Sequence, residues 1–239
     1  MLSMTSERPI RNTKILITVS VIIAVIAAIG IAEIVSANGG SQVLTGTNSS
    51  NDNYTGQLSA TMASVHGLDL TLALNSTQIQ KGQSIDVTIS EQNTLNATNT
   101  VNASSLWPVT CLGIGPCGAM NDPVGFAIYA GYYTASNISS AQPLEIYAPG
   151  EYACPMILLD IASYTFEPLS SQATINTGVT ASPTNFTVSV SHETAFDGSW
   201  ASSNDYGDQG NFNTFAPGVY TVAAGDEWGA LALLHFTVQ

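Results

Sequence analysis

The sequence predicts an all-β fold, an antiparallel β-sandwich ectodomain preceded by one N-terminal transmembrane helix. Three observations predict it. Apolar residues alternate with period two in several segments, as in Leu68-Asp69-Leu70-Thr71-Leu72-Ala73-Leu74. No segment beyond the first 36 residues shows a helical apolar period with caps. The one long apolar run, Ile15–Val35, has 21 residues and suits a bilayer better than a core.

Residues 1–14 form a short basic tip that holds Arg8, Arg11 and Lys14, three of the chain's four basic residues. Residues 15–36 follow as a transmembrane signal-anchor helix. About 20 apolar residues span a bilayer, and basic flanks stay on the cytoplasmic side. The expected topology is therefore a single pass in the cell membrane, with the N-terminus inside and the C-terminal domain extracellular. Glu33 falls in the last helical turn, where a carboxylate reaches the outer interface. Val35-Ser36-Ala37 also fits the small-residue pattern of a cleavage site, so a cleaved secretory signal is the alternative. The apolar run exceeds the roughly 7–15 residues of a signal core, which favours a permanent anchor.

Residues 37–64 are rich in Gly, Ser, Asn and Thr and have no sustained apolar period. They read as a flexible, glycosylated stalk reaching about 25–30 Å by random-coil scaling. Residues 65–239 form the ectodomain. Its first strand is Leu68–Leu74, and Ile85–Ser90 repeats the alternation after the turn signal Lys81-Gly82. Further strands are expected at Phe126–Tyr133, Leu144–Tyr147, Tyr152–Leu159, Phe186–Val190, Val219–Ala223 and Ala230–Val238. About eight strands separated by turns suggest a sandwich of the immunoglobulin or fibronectin kind. Thr94–Pro123 reads as a long Asn-, Gly- and Pro-rich insertion, the leading place for a binding surface. A short motif occurs at Ala148-Pro149-Gly150-Glu151-Tyr152 and again at Ala216-Pro217-Gly218-Val219-Tyr220. Each Pro-Gly sets a turn, and the Tyr that follows can bond its hydroxyl back to the loop, as in a tyrosine corner.

Composition narrows function by exclusion. Residues are 45% hydrophobic but only 9% charged, with a formal net charge of −13; ordinary soluble proteins carry about 25% charged residues. Lys81 is the single basic residue beyond the anchor. Such a surface repels phosphate backbones and excludes nucleic acid as a partner. Seven N-x-S/T sequons, at Asn48, Asn53, Asn75, Asn96, Asn102, Asn137 and Asn185, all fall on the external side. Attached glycans would supply the solubility that charge does not. Cys111, Cys117 and Cys154 would sit in an oxidising compartment. Cys111 and Cys117 could close a small loop. Pairing of Cys117 with Cys154 is preferred because the longer loop gains more from closure, which leaves Cys111 free or available to a second chain.

Chemistry-bearing patterns are few. Gly113-Ile114-Gly115-Pro116-Cys117-Gly118 matches GxGxxG, but it lacks a βαβ context and a following helix to face a phosphate. The segment Glu151–Met156 has the look of the Cys-bearing strand of a cupredoxin. Blue copper needs two His beside the Cys, and His66, His192 and His235 are scattered; His235 reads as a sheet-face residue. Asp205, Asp208, Asp226 and Glu227 cluster in two Gly-rich segments and are weak candidates for a calcium site, since hard cations take loop oxygens. Solvated hairpin loops carry Asp and Gly for their own reasons. There is no GxSxG elbow and no HExxH. Trp107, Tyr129, Tyr132, Tyr133, Trp200 and Trp228 should mostly serve packing, with any exposed subset open to glycan or protein contact.

Several segments resemble a group of archaeal cell-surface proteins from ammonia-oxidising lineages. They are Trp107-Pro108, Pro116-Cys117-Gly118, Pro123–Ala127, Gly131-Tyr132-Tyr133, Pro149–Pro155 and, most specifically, Pro217–Gly229. The resemblance covers Trp107–Gln239 and implies single-pass anchoring, an Ig-like ectodomain and an archaeal envelope where N-glycosylation is expected. It carries over no activity and no catalytic residues. The expected function is a non-enzymatic surface protein for cell-surface interaction or envelope architecture, with no cofactor and with envelope proteins or glycans as partners. The alternatives are an extracellular Ca- or Cu-binding or redox module and a pilin-like filament subunit. A basic–Gly processing site before the helix is lacking, which counts against the pilin.

Overall fold

The computed structural model describes residues 56–109, 122–148, 161–178, 185–201 and 210–239, all within one compact unit, Asn53–Gln239. The basic tip, the apolar segment 15–36, most of the stalk and all three cysteines lie outside the described residues. The fold is all-β and, with one short exception, antiparallel. Among the described residues the only helical element is a 3-10 turn, Ile138–Ser140, and no helix is long and apolar enough to cross a membrane.

Strand β2 (Leu68–Leu74) is the alternating segment, with all four leucines buried. It pairs with β4 (Ile85–Asn93), whose inward positions run Ile85, Val87, Ile89, Glu91 and Asn93. The edges of this sheet are β1 (Ser59–Ala63) against β2 and β10 (Ser191–Phe196) against β4. A second sheet has the order β3 (Gln78–Ile79), β14 (Leu231–Val238), β13 (Gly218–Asp226), β6 (Val124–Ala130). Here β3 runs parallel to β14. A third has the order β5 (Asn99–Asn102), β7 (Ile161–Phe166), β8 (Gln172–Thr177), β9 (Phe186–Ser189). A separate hairpin joins β11 (Gly198–Ala201) to β12 (Asn211–Thr214).

The inward residues of all three four-stranded sheets share one apolar core, from Leu70 and Ile89 through Phe166 and Ile175 to Val222 and Phe236. Sheet faces close on one another because each strand has one apolar face to bury. The second sheet is covered on both faces. Ala127, Tyr129 and Ala223 point away from the main core and pack with Val109 and Ile138, under Trp107 and Tyr133. That double cover explains why β13 is buried continuously from Tyr220 to Asp226 rather than alternately.

Three sequence expectations need correction. Ser59–Ala63, expected within the stalk, is a strand in register with Asp69–Ala73. Its residues are mostly exposed, so an edge strand held by backbone pairing left no apolar period to read. Asn99–Asn102, placed in the long insertion, is strand β5, again polar and short. Leu144–Tyr147 is not a strand; within it Glu145 alone forms an isolated bridge, to Trp200. Tyr152–Leu159 lies outside the described residues. The tyrosine motif is confirmed at its second copy, where the Tyr220 hydroxyl donates to the Ala216 carbonyl at 2.8 Å. Its ring stacks on Phe236 at 5.1 Å.

Candidate functional site

Polar groups converge where the β1–β2 turn, the end of β4, strand β5 and the β13–β14 turn meet. The sequence places them there in a simple way. Inward positions of β4 switch from Ile85, Val87 and Ile89 to Glu91 and Asn93, so that strand runs out of apolar core before it ends. Asn93 donates through Nδ2 to the carbonyls of Ala97 and Glu167 and accepts the Leu95 amide at 3.0 Å. One buried amide thus closes two loops, and its polar burial is offset by three hydrogen bonds.

Glu91 is fully buried, and neither carboxyl oxygen has a hydrogen-bond partner. Burial, then the charges of Asp226 and Asp69, push its pKa up to about 9. The side chain is therefore a neutral acid at pH 7, because an isolated buried carboxylate is far costlier than its protonated form.

Asp226 ends β13 and Glu227 begins the turn after it. Asp226 is fully buried; its Oδ1 accepts the amides of Trp228 at 3.0 Å and Ala230 at 2.8 Å. Its Oδ2 accepts the Ser64 hydroxyl from the β1–β2 turn. Burial raises the Asp226 pKa, and these donors oppose the shift. Glu227 Oε1 accepts the Ser104 amide at 2.8 Å, while Oε2 lies 3.4 Å from the Tyr164 hydroxyl. Burial pushes Glu227 up to about 7, again against its donors. Burial and the nearby Glu227 charge raise the Tyr164 phenol, so it stays protonated and donates. Each of these two carboxyls holds a segment to the β13–β14 turn: Asp226 the β1–β2 turn, and Glu227 the chain after β5.

Trp228 completes the junction. Its indole donates to the Asn102 carbonyl at 2.8 Å, and its ring meets Tyr164 and Phe166 edge-on. At the other end of β5, Asn99 donates to the carbonyl of His66 at 2.7 Å. His66 sits at φ 52, a conformation that costs a non-glycine residue energy. Between these contacts lies a half-open cleft of about 250 Å³, lined by Val65 and His66, the four residues of β5 and Trp228.

The candidates read from sequence therefore separate. Asp226 and Glu227 come together, but their oxygens are turned onto protein donors; Asp205 and Asp208 lie outside the described residues. No group of three or more His, Cys, Asp or Glu among the described residues could hold a metal ion. His192 lies 3.3 Å from Asp122, and His235 stacks on Tyr132 at 4.4 Å with Nε2 at 2.8 Å from the Tyr133 carbonyl. Burial lowers the His235 pKa. These histidines do not share a site.

Five of the sequon asparagines are described, and all five are exposed: Asn75, Asn96, Asn102, Asn137 and Asn185. Asn48, Asn53, Cys111, Cys117 and Cys154 lie outside the described residues. Glu91 is the residue that sequence reasoning missed. A signal for it existed, since it occupies an inward position of an otherwise apolar alternation. No protein-family model and no curated protein matches the chain.

Proposed function

We propose that this chain is a membrane-anchored extracellular protein whose immunoglobulin-like sandwich serves cell-surface interaction or envelope architecture, without catalysis. The observation that carries the reading is that every described sequon asparagine stands on the surface, on a body almost without cations. A chance scatter of Asn over an all-β domain would place some inward, as Asn93 and Asn99 are. The apolar segment Ile15–Val35 behind Arg8, Arg11 and Lys14 supplies the membrane attachment.

The convergent carboxyl groups support a structural role for the junction. A catalytic acid must touch its substrate, whereas Glu91 and Asp226 are wholly enclosed. Asp226 and Glu227 instead fasten the β1–β2 turn and the chain after β5 to the β13–β14 turn, as suits a body that presents a face. Fractionation of cells that make the full chain tests the reading. The protein is expected to stay with the membrane pellet through an alkaline carbonate wash and to leave it only in detergent. Recovery in the cytosolic fraction would contradict it.

A further inference from the structure

We propose that Asn102 carries an N-linked glycan whose first sugar seats in the adjoining cleft against Trp228 and His66. The inference rests on the extracellular reading above and deepens it by naming the site and the occupant.

The five described sequons are not equivalent. Asn75 is locked to Asp86 at two points, with Nδ2 donating to Oδ2 at 2.7 Å and Oδ1 accepting the Asp86 amide at 3.0 Å. Asn137 spends Oδ1 on the Thr134 amide and hydroxyl, which holds its side chain against the 3-10 turn. Asn96, Asn102 and Asn185 are exposed, and no described group hydrogen-bonds their side-chain amides. Of these three, Asn102 alone borders the cleft.

The site lies on a sheet edge. Strand β5 is the edge of its sheet, paired with β7 on one side only. Exposed edges are commonly covered or blunted, and a sugar attached here covers this one. The Asn102 carbonyl is held by the Trp228 indole, while its side chain stands with Thr100 on the exposed face of β5, opposite inward-facing Asn99 and Val101, at the rim of the cleft. The lining can meet a pyranose with the exposed His66 imidazole, the rim of the largely buried Trp228 ring and the exposed Thr100 side chain, whose hydroxyl also pairs with Thr165. Drug-sized ligands fill pockets of about 300–1,000 Å³. A half-open cleft of about 250 Å³ therefore takes one sugar and leaves the rest of the glycan in solvent.

The chemistry is an ordinary transfer from a lipid-linked sugar phosphate by a membrane transferase. A bond forms between Asn102 Nδ2 and the anomeric carbon, and the bond from that carbon to the phosphate oxygen breaks. One Nδ2 proton leaves with the phosphate.

The test uses the full chain made in a host that glycosylates N-x-S/T sequons, with Ser104→Ala and Thr98→Ala variants. Ser104→Ala removes the Asn102 sequon but keeps the backbone amide that Glu227 accepts. Thr98→Ala removes only the Asn96 sequon at an exposed position. Site-resolved mass spectrometry should find sugar on Asn102. Amide hydrogen exchange at Val65–Gly67 and Thr100–Asn102 should be several-fold slower in the wild type than in Ser104→Ala, and unchanged by Thr98→Ala. Sugar on Asn96 or Asn185 with Asn102 bare would overturn the proposal and leave the surface-glycoprotein reading standing. An occupied Asn102 with no change in exchange would overturn the seating in the cleft. Bare sequons throughout would overturn both the proposal and the glycoprotein reading beneath it.

Discussion

Glu91 concentrates the physics of the domain in one side chain. Folded, it holds its proton to about pH 9; its ordinary value is 4.5. Between those values the unfolded chain has released the proton while the folded chain keeps it. Stability therefore falls as pH rises through that window, by at most about 1.4 kcal/mol per pH unit for one group. Glu227 adds to the slope between 4.5 and about 7. Glu91→Gln should fold about as well as the wild type near pH 5 and resist denaturant better at pH 9, which urea melts at the two pH values will show. An equal loss between pH 7 and 9 in both proteins would remove Glu91 as the cause. Tyr220→Phe isolates a simpler contact, since it deletes only the hydroxyl bonded to Ala216. A loss of about 0.5–1.5 kcal/mol in the same melts is expected. The tyrosine was legible because its turn precedes it in sequence. Glu91 was harder to see, because a carboxylate in an apolar alternation reads as a register slip unless its surroundings are known.

Strands that bury a face announced themselves, and strands that only pair did not. Leu68–Leu74 was read to the residue because four leucines face one core. Ser59–Ala63 and Asn211–Thr214 are exposed almost throughout, so what holds them is mainly backbone pairing that any polar sequence can make, helped in the second by the Phe212 ring against Trp200. The exposed hairpin β11–β12 nevertheless has a strict demand at Gly198. A Cβ there would stand 2.1 Å from the Asn213 carbonyl oxygen and 2.8 Å from the Phe212 ring. Gly198→Ala should cost about 1–3 kcal/mol through forced displacement of the partner strand. Hydrogen exchange should place the loss at Asn211–Thr214. A melting curve unchanged from the wild type would mean the hairpin opens at no cost.

At the scale of the molecule, charge and apolar pattern speak of location, and three-dimensional convergence speaks of the junction. Asp226 and Glu227 were noticed in sequence as loop carboxylates fit for a cation. Only the fold shows that their oxygens face the amides of Trp228, Ala230 and Ser104. The amides of Trp228 and Ala230 are local to Asp226, as an Asp-led turn allows, but Ser64 and Ser104 are more than 100 residues away in sequence, so nothing local could have revealed them. The scarcity of cations has a direct consequence. Trypsin should leave Gly82–Gln239 as one fragment even from the unfolded chain, because Lys81 is the last basic residue; a second tryptic cut within it would contradict the sequence itself. Lys81 is also exposed, and Lys14 lies on the other side of the apolar segment. A membrane-impermeant amine reagent applied to intact cells therefore reports topology with one lysine on each side. The anchored, outward-facing arrangement predicts labelling of Lys81 at once and of Lys14 only after lysis. Labelling of Lys14 in intact cells, or protection of Lys81 until lysis, would contradict it.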